Sequence, residues 1–264
     1  MTNLISQVFK NKEKKLVTFV TGGDPDFDTS LEIIKTIINN GADIIEIGMP
    51  FSDPMADGPT IQLSSNRAIS KGIDLENIFS LAAEAKKIKN NLPIILMGYY
   101  NLILYFGIEK FVKKCKENGV DGLIIVDLQP EEDEDLINEL KKNEIDLIRL
   151  ITPTTDEERL KLILKNASGF LYYVSVMGIT GQKSADLNEL KKSVAFVKKH
   201  TNLPVVPGFG IKNSNDVNNI CKIADGAVVG SSIIKIIEEN LNNRDKMLSE
   251  INKFSKDLKD GTKV

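Results

Sequence analysis

Short apolar, β-prone runs alternate with amphipathic helical stretches along the whole chain, and this alternation limits the possible fold more than any other feature. The strand-like runs fall at residues 16–20, 43–48, 93–98, 122–127, 146–150, 169–175, 204–208 and 226–229. Most are nearly continuous apolar segments, as parallel strands buried on both faces require. Helical patterns lie between them, for example over 29–40, 108–118, 130–143, 156–166, 186–200 and 214–221. Asp28 or Thr29 is placed to open the first of these, and Gly41 and Gly119 follow the ends of two. Eight β-α units in 264 residues predict an α/β fold of the TIM (β/α)8 barrel type. An open doubly wound sheet is the competing architecture. It is disfavoured because no Gly-x-Gly-x-x-Gly turn follows the first strand.

No Ser/Gly- or Pro-rich linker divides the chain, so residues 1–264 are expected to form a single domain. A short helix over 4–10 is expected to cover the bottom of the barrel, and a C-terminal helix over about 242–258 to close the ring. The second unit is unusually long, from 48 to 93, with a Pro-rich turn at 50–59 and an extra helix near 61–70. Long insertions at that end of a barrel strand are usually functional.

The formal net charge of −3, with acidic and basic residues interspersed, argues against a nucleic-acid footprint or a basic membrane-binding face. No basic N-terminal region precedes an apolar run, and no apolar stretch is long enough to span a bilayer, so a cytoplasmic location is expected. Cys115 and Cys221 are far apart and read as free buried thiols. The single histidine, His200, reads as a partner for the end of a helix. So few His and Cys residues leave little room for a metal centre or a Ser-His-Asp arrangement.

The chemistry is sought where carboxylates sit oddly. Glu46 lies in an apolar strand between Ile45 and Ile47, pointing either into the barrel or toward the helices. Burial raises a carboxyl pKa toward neutrality, which suits acid–base work. The competing reading is a structural carboxylate paired with a buried Lys or Arg. Asp57 follows in the Pro-rich loop, where it is either functional or a turn former; the turn reading weighs more for Asp53. Gly208-Phe209-Gly210 follows the seventh strand, and Gly230-Ser231-Ser232 follows the eighth and opens a helix. Barrels often bind phosphate there. Gly178-Ile179-Thr180-Gly181 offers a further loop over the same ligand. Tyr172 and Tyr173 lie in the sixth strand and Tyr99 and Tyr100 end the third, as core or site residues. Asp127, ending the fourth, is either a catalytic or orienting residue or a helix cap.

Taken together these residues resemble one family over essentially the full length. The matching motifs are Phe19-Val20-Thr21-Gly22-Gly23-Asp24-Pro25, the segment from Glu46 to Pro59, Asp127-Leu128-Gln129-Pro130-Glu131-Glu132, the run from Tyr172 to Gly181, and Gly208-Phe209-Gly210-Ile211. The family is that of the tryptophan synthase α subunit. The resemblance implies a barrel that cleaves indole-3-glycerol phosphate to indole and glyceraldehyde 3-phosphate. It assigns acid–base catalysis to Glu46 and Asp57. It assigns phosphate binding to the loops holding Gly181, Gly210, Gly230 and Ser231. Phe19 and Tyr99 match positions lining the indole pocket, Tyr172 a contact with substrate or with Glu46, and Thr180 a mobile-loop residue that bonds the catalytic Asp. No cofactor is implied for this chain. A pyridoxal-phosphate β subunit is implied as partner, in an α2β2 heterotetramer, facing Pro50, Asp53, Pro54, Met55 and parts of 129–132. Gln129 stands where a Pro is common and Met55 where a Leu is common.

The expected reaction is a retro-aldol cleavage driven by two carboxyls. A Schiff-base route is disfavoured because none of the strand-like runs contains a Lys; Lys183 lies in the glycine-flanked loop. A stand-alone lyase releasing free indole would use the same side chains and is the alternative.

Overall fold

The computed structural model describes residues 3–174, 187–208 and 210–264. Among them, β1 (Lys15–Thr21), β2 (Ile44–Gly48), β3 (Ile94–Gly98), β4 (Gly122–Ile125), β5 (Asp146–Leu147) and β9 (Gly226–Val229) form a sheet in the order β5-β4-β3-β2-β1-β9. A second ladder joins β6 (Arg149–Ile151), β7 (Leu171–Tyr173) and β8 (Val205–Pro207). Every pairing is parallel. Two junctions close these ladders into a ring. Only Ile148 separates β5 from β6, and its N–H still donates to the Leu123 carbonyl at 2.9 Å. Between β8 and β9 a parallel bridge pairs Gly208 with Val228. The result is the TIM barrel expected from the alternation, its fifth strand recorded in two pieces.

Side chains alternate across each strand, which explains two separate apolar layers. Val17, Ile44, Ile95, Ile124, Ile148, Phe170, Val206 and Val228 point inward and meet one another. Leu16, Val20, Ile45, Ile47, Ile94 and Leu96 point outward into the layer covered by helices. Helix α1 (Leu4–Val8) begins at Asn3, whose side chain accepts the Ser6 N–H at 3.0 Å. It delivers Ile5, fully buried, into the inner cluster, so the N-terminal helix covers the barrel's bottom as expected.

Lysine–aspartate pairs recur where strands begin. Asp43 accepts the Leu16 N–H at 2.8 Å and the Lys259 ammonium at 2.7 Å. Asp121 does the same with the Ile94 N–H and Lys86, at 2.8 and 2.7 Å. Asp225 takes the Val205 N–H at 2.7 Å and Lys198 at 2.6 Å. Each carboxylate takes an N–H at the start of a strand and ties it to a helix end; the helices are α12 (Arg244–Gly261), α4 (Leu75–Ile88) and α9 (Leu187–Lys198).

The insertion after β2 contains α3 (Pro59–Ser70), started by a proline at its first helical position. It is pinned to the end of β1 by Thr21 and Ser64, whose hydroxyl oxygens lie 2.6 Å apart. Arg67 adds a bidentate pair with buried Asp24, at 2.7 and 2.8 Å.

Several boundaries differ from the sequence reading. α2 (Phe27–Asn39) is capped by Asp26, which accepts the Thr29 N–H, and not by Asp28 or Thr29. β3 stops at Gly98, and Tyr100 opens a short helix, α5 (Tyr100–Phe106). β4 stops before Asp127. The helix read over 130–143 is interrupted: a 3-10 turn at Pro130–Glu132 precedes α7 (Glu134–Asn143), because Asp133 turns inward to pair with Arg149. The remaining helices are α6 (Ile108–Glu117), α8 (Glu157–Lys165), α10 (Ser214–Cys221) and α11 (Ser231–Glu239). Among the described residues no helix is long and apolar enough to cross a membrane.

Candidate active site

The C-terminal ends of the strands surround a cavity of about 270 Å3, lined among others by Phe19, Asp57, Ile61, Met97, Leu150, Tyr172, Gly210, Gly230 and Ser231. Its floor is set by strand register. Ile44 points inward, so Glu46, two residues on, does too. Glu46 lies level with Phe19 of β1 and Ile95 of β3 and is fully buried. Neither carboxyl oxygen has a hydrogen-bond partner among the described residues, and no cation pairs with it there. The structural-carboxylate reading, which needs such a cation, therefore has no support. Desolvation alone pushes its pKa up to about 8.

Asp57 stands on the wall, half-buried. The Tyr99 hydroxyl donates to it at 3.0 Å and accepts the Ala56 N–H at 3.0 Å. The Tyr99 ring stacks on Phe51 at 5.1 Å. Tyr99 therefore holds the 51–57 loop against the barrel rim from behind Asp57, outside the cavity lining. Burial raises the Asp57 pKa, and the Tyr99 hydrogen bond opposes that rise. The two carboxyls thus sit in different environments, one fully buried with no hydrogen-bond partner among the described residues, the other hydrogen-bonded and open to the cavity.

Tyr172 projects inward from β7. A Cβ on Gly208 would lie 2.1 Å from its hydroxyl, so only glycine allows the ring its place across the barrel. The Tyr172 hydroxyl is pushed well above its ordinary value, first by burial and then by the charges of Glu46 and Asp57. It therefore lies within electrostatic reach of both carboxyls.

After β9, α11 starts at Gly230 with no side-chain cap and no acidic residue in its first turn. Its first N–H groups and Ser231 border the cavity beside Gly210. The Ser232 hydroxyl donates to the Ile211 carbonyl at 2.5 Å and joins the two loops. An uncapped helix N-terminus carries partial positive charge and N–H donors suited to an anion.

Phe19, Asp57, Tyr172, Gly210, Gly230 and Ser231 are thus brought to one cavity, with Glu46 beneath it. Thr180, Gly181 and Lys183 lie outside the described residues. Asp53 and Met55 are exposed on the outer loop, Met55 at 86%, with Pro50 and Pro54 half-buried. Asp127 is exposed, and its carboxylate accepts the Tyr100 N–H at 2.8 Å, the cap of the two roles considered. Nδ1 of His200 lies 3.0 Å from the Phe196 carbonyl at the end of α9, as read. Both cysteines are free and buried.

Met97, Val126 and Leu150 were missed as cavity residues. Alternation would have found them, since each lies two positions beyond an inward isoleucine: Ile95, Ile124 or Ile148. Exposed Leu104 and Tyr105 of α5 were also missed, because the helix carrying them was not foreseen.

A family model described as tryptophan synthase alpha chain matches residues 5–263. The tryptophan synthase alpha chain of Petrotoga mobilis is 47% identical over 255 residues, covering 97% of this chain and 98% of that one. Among solved structures, tryptophan synthase subunit alpha of Legionella pneumophila superposes with a TM-score of 0.92 at 33% identity, covering 99% of both chains. Tryptophan synthase from M. tuberculosis in its aminoacrylate-bound form gives 0.88 at 26% identity, covering 99% of this chain and 100% of that one.

Proposed function

We infer the chemistry from kinship and geometry together: the chain belongs to the tryptophan synthase alpha chain family, and its cavity has the groups that family's lyase half-reaction needs. It cleaves indole-3-glycerol phosphate to indole and glyceraldehyde 3-phosphate. Membership of the alpha-chain family favours a subunit that works with a β subunit over a stand-alone lyase.

Indole C3 leaves poorly until it is protonated. In our reading Glu46, holding its proton at neutral pH, delivers it to C3. Asp57 accepts the indole N–H and stabilises the positive charge growing on the ring. The C3–C3′ bond then breaks, its electron pair returning to the ring. The 3′-hydroxyl loses its proton to Glu46, directly or through a relay, and becomes the aldehyde oxygen. Two carboxyls in different environments, one fully buried and one hydrogen-bonded at the cavity wall, suit this division of labour. The phosphate is placed at the α11 N-terminus, with Gly210, Gly230 and Ser231. Gly181 and Thr180 keep the roles that the resemblance gives them, over the phosphate and against Asp57. Phe19 and Met97 offer apolar surface for indole, and Tyr172 bridges substrate and Glu46.

The observation that carries this reading is Glu46: a fully buried acid with no hydrogen-bond partner among the described residues, its pKa pushed up to about 8, beneath a cavity that holds a second carboxyl. Indole release from indole-3-glycerol phosphate tests it. Glu46→Gln is expected to lose at least about 100-fold in kcat with an unchanged circular dichroism spectrum. Near-normal cleavage would remove Glu46 from the mechanism.

The partner is read as a pyridoxal-phosphate β subunit in an α2β2 assembly in the cytoplasm, and this chain as needing no cofactor of its own. Pro50, Asp53, Pro54 and Met55 form the proposed contact loop. Exposed Leu104 and Tyr105 extend it along the rim.

A further inference from the structure

The segment that follows β4 is gripped by two arginines from different elements. Arg149 in β6 points outward, on the face opposite to cavity-lining Leu150. It is 5% exposed and forms an ion pair with Asp133, which is 2% exposed. Its Nη1 also donates to the Leu128 carbonyl at 3.0 Å. Asp133 takes a further bond from the Asn166 amide at 3.2 Å. From outside, Arg159 of α8 donates to the Gln129 side-chain oxygen and to the Glu131 carboxylate. Between the two grips lies the turn Pro130–Glu132, none of whose residues is buried. Such a turn has no packing of its own to fix it.

A buried ion pair is an expensive way to hold a core together. Apolar residues of similar volume usually serve as well or better. Here the pair reaches the backbone of an exposed turn, and burial pulls the guanidinium down to about 10, still charged at neutral pH. The same rim continues through Asp127 to α5, and through Tyr99 to the 51–57 loop.

We propose that Arg149 and Asp133 are positioning residues that hold residues 129–132 as a preformed docking edge for the β subunit. This rests on the reading above that the partner covers this rim. A preformed edge binds more tightly because less ordering is left to be done on association.

The test compares β-subunit affinity with basal indole release in four proteins: the wild type, Pro54→Ala, Arg159→Ala, and the double variant Arg149→Met with Asp133→Leu. The double variant removes the clamp without leaving an unpaired buried charge. It is expected to keep basal kcat within about twofold and to bind the cognate β subunit about tenfold more weakly. Arg159→Ala changes an exposed grip and leaves the core intact, so it remains informative if the double variant misfolds; it is expected to weaken binding about threefold. Clamp variants that bind like wild type, while Pro54→Ala binds weakly, overturn the clamp alone. Equal losses of binding and basal kcat overturn it as well, in favour of a structural role. A wild type that does not bind the β subunit overturns the partner reading and the proposal with it.

Discussion

Glu46 holds its proton in the folded chain up to about pH 8, whereas in an unfolded chain it releases it near 4.5. The native state therefore binds the extra proton between those values, and its stability falls as pH rises through that window. Below about 4.5 and above about 8 this contribution is flat. For a group with no exposure the full swing is on the order of 5 kcal/mol. Urea unfolding from pH 5 to 8.5 should show this fall in wild type and not in Glu46→Gln. A pH-independent difference between the two would mean that burial does not set the proton. In the proposed mechanism protonated Glu46 is the form that delivers the proton, so kcat/KM should fall as pH rises through about 8. Glu46 was legible because an acid amid isoleucines is anomalous in any sequence. The Tyr99 bond to Asp57 was not, since it joins residues far apart in the chain and depends on how the loop folds back.

At the scale of elements, α11 separates a stability effect from a binding effect. Its first turn holds no acid, although acids there normally stabilise a helix by about 0.5 kcal/mol. Ser231→Asp is expected to raise the melting temperature slightly. It should also raise KM for indole-3-glycerol phosphate at least about tenfold, through repulsion of the phosphate. A raised melting temperature with an unchanged KM would place the phosphate elsewhere. The loop glycines and the helix start that point to this site were readable in order along the chain. α5 was not, because Tyr99 and Tyr100 continue an apolar strand pattern, and nothing local announces that Asp127 will cap a helix at Tyr100. The break between the Pro130–Glu132 turn and α7 was hidden for a similar reason. It depends on Arg149, sixteen positions beyond Asp133, which no local pattern connects to it.

For the whole molecule, the barrel interior is divided between a plugged bottom and an open top. Ile5 plugs the bottom, and Ile5→Ala should cost about 2–5 kcal/mol in urea unfolding while basal cleavage at low temperature stays near normal. A comparable loss of cleavage would mean that the plug also shapes the site. Fold class was the most legible property, because eight repeats of one pattern outvote errors at any single boundary. The ring's closure was not directly readable, since it rests on single contacts such as the bridge from Gly208 to Val228. The lysine–aspartate pairs have a mechanical consequence. They fasten Leu16, Ile94 and Val205 to helix ends, so the three β-α units that begin there behave as cantilevers, built in at the base and free at the rim. Hydrogen exchange should then be graded along single strands, slowest at those three amides and fastest in the 51–57 loop. The rim loops are then free to shift with ligand or partner while the strands beneath them keep their register.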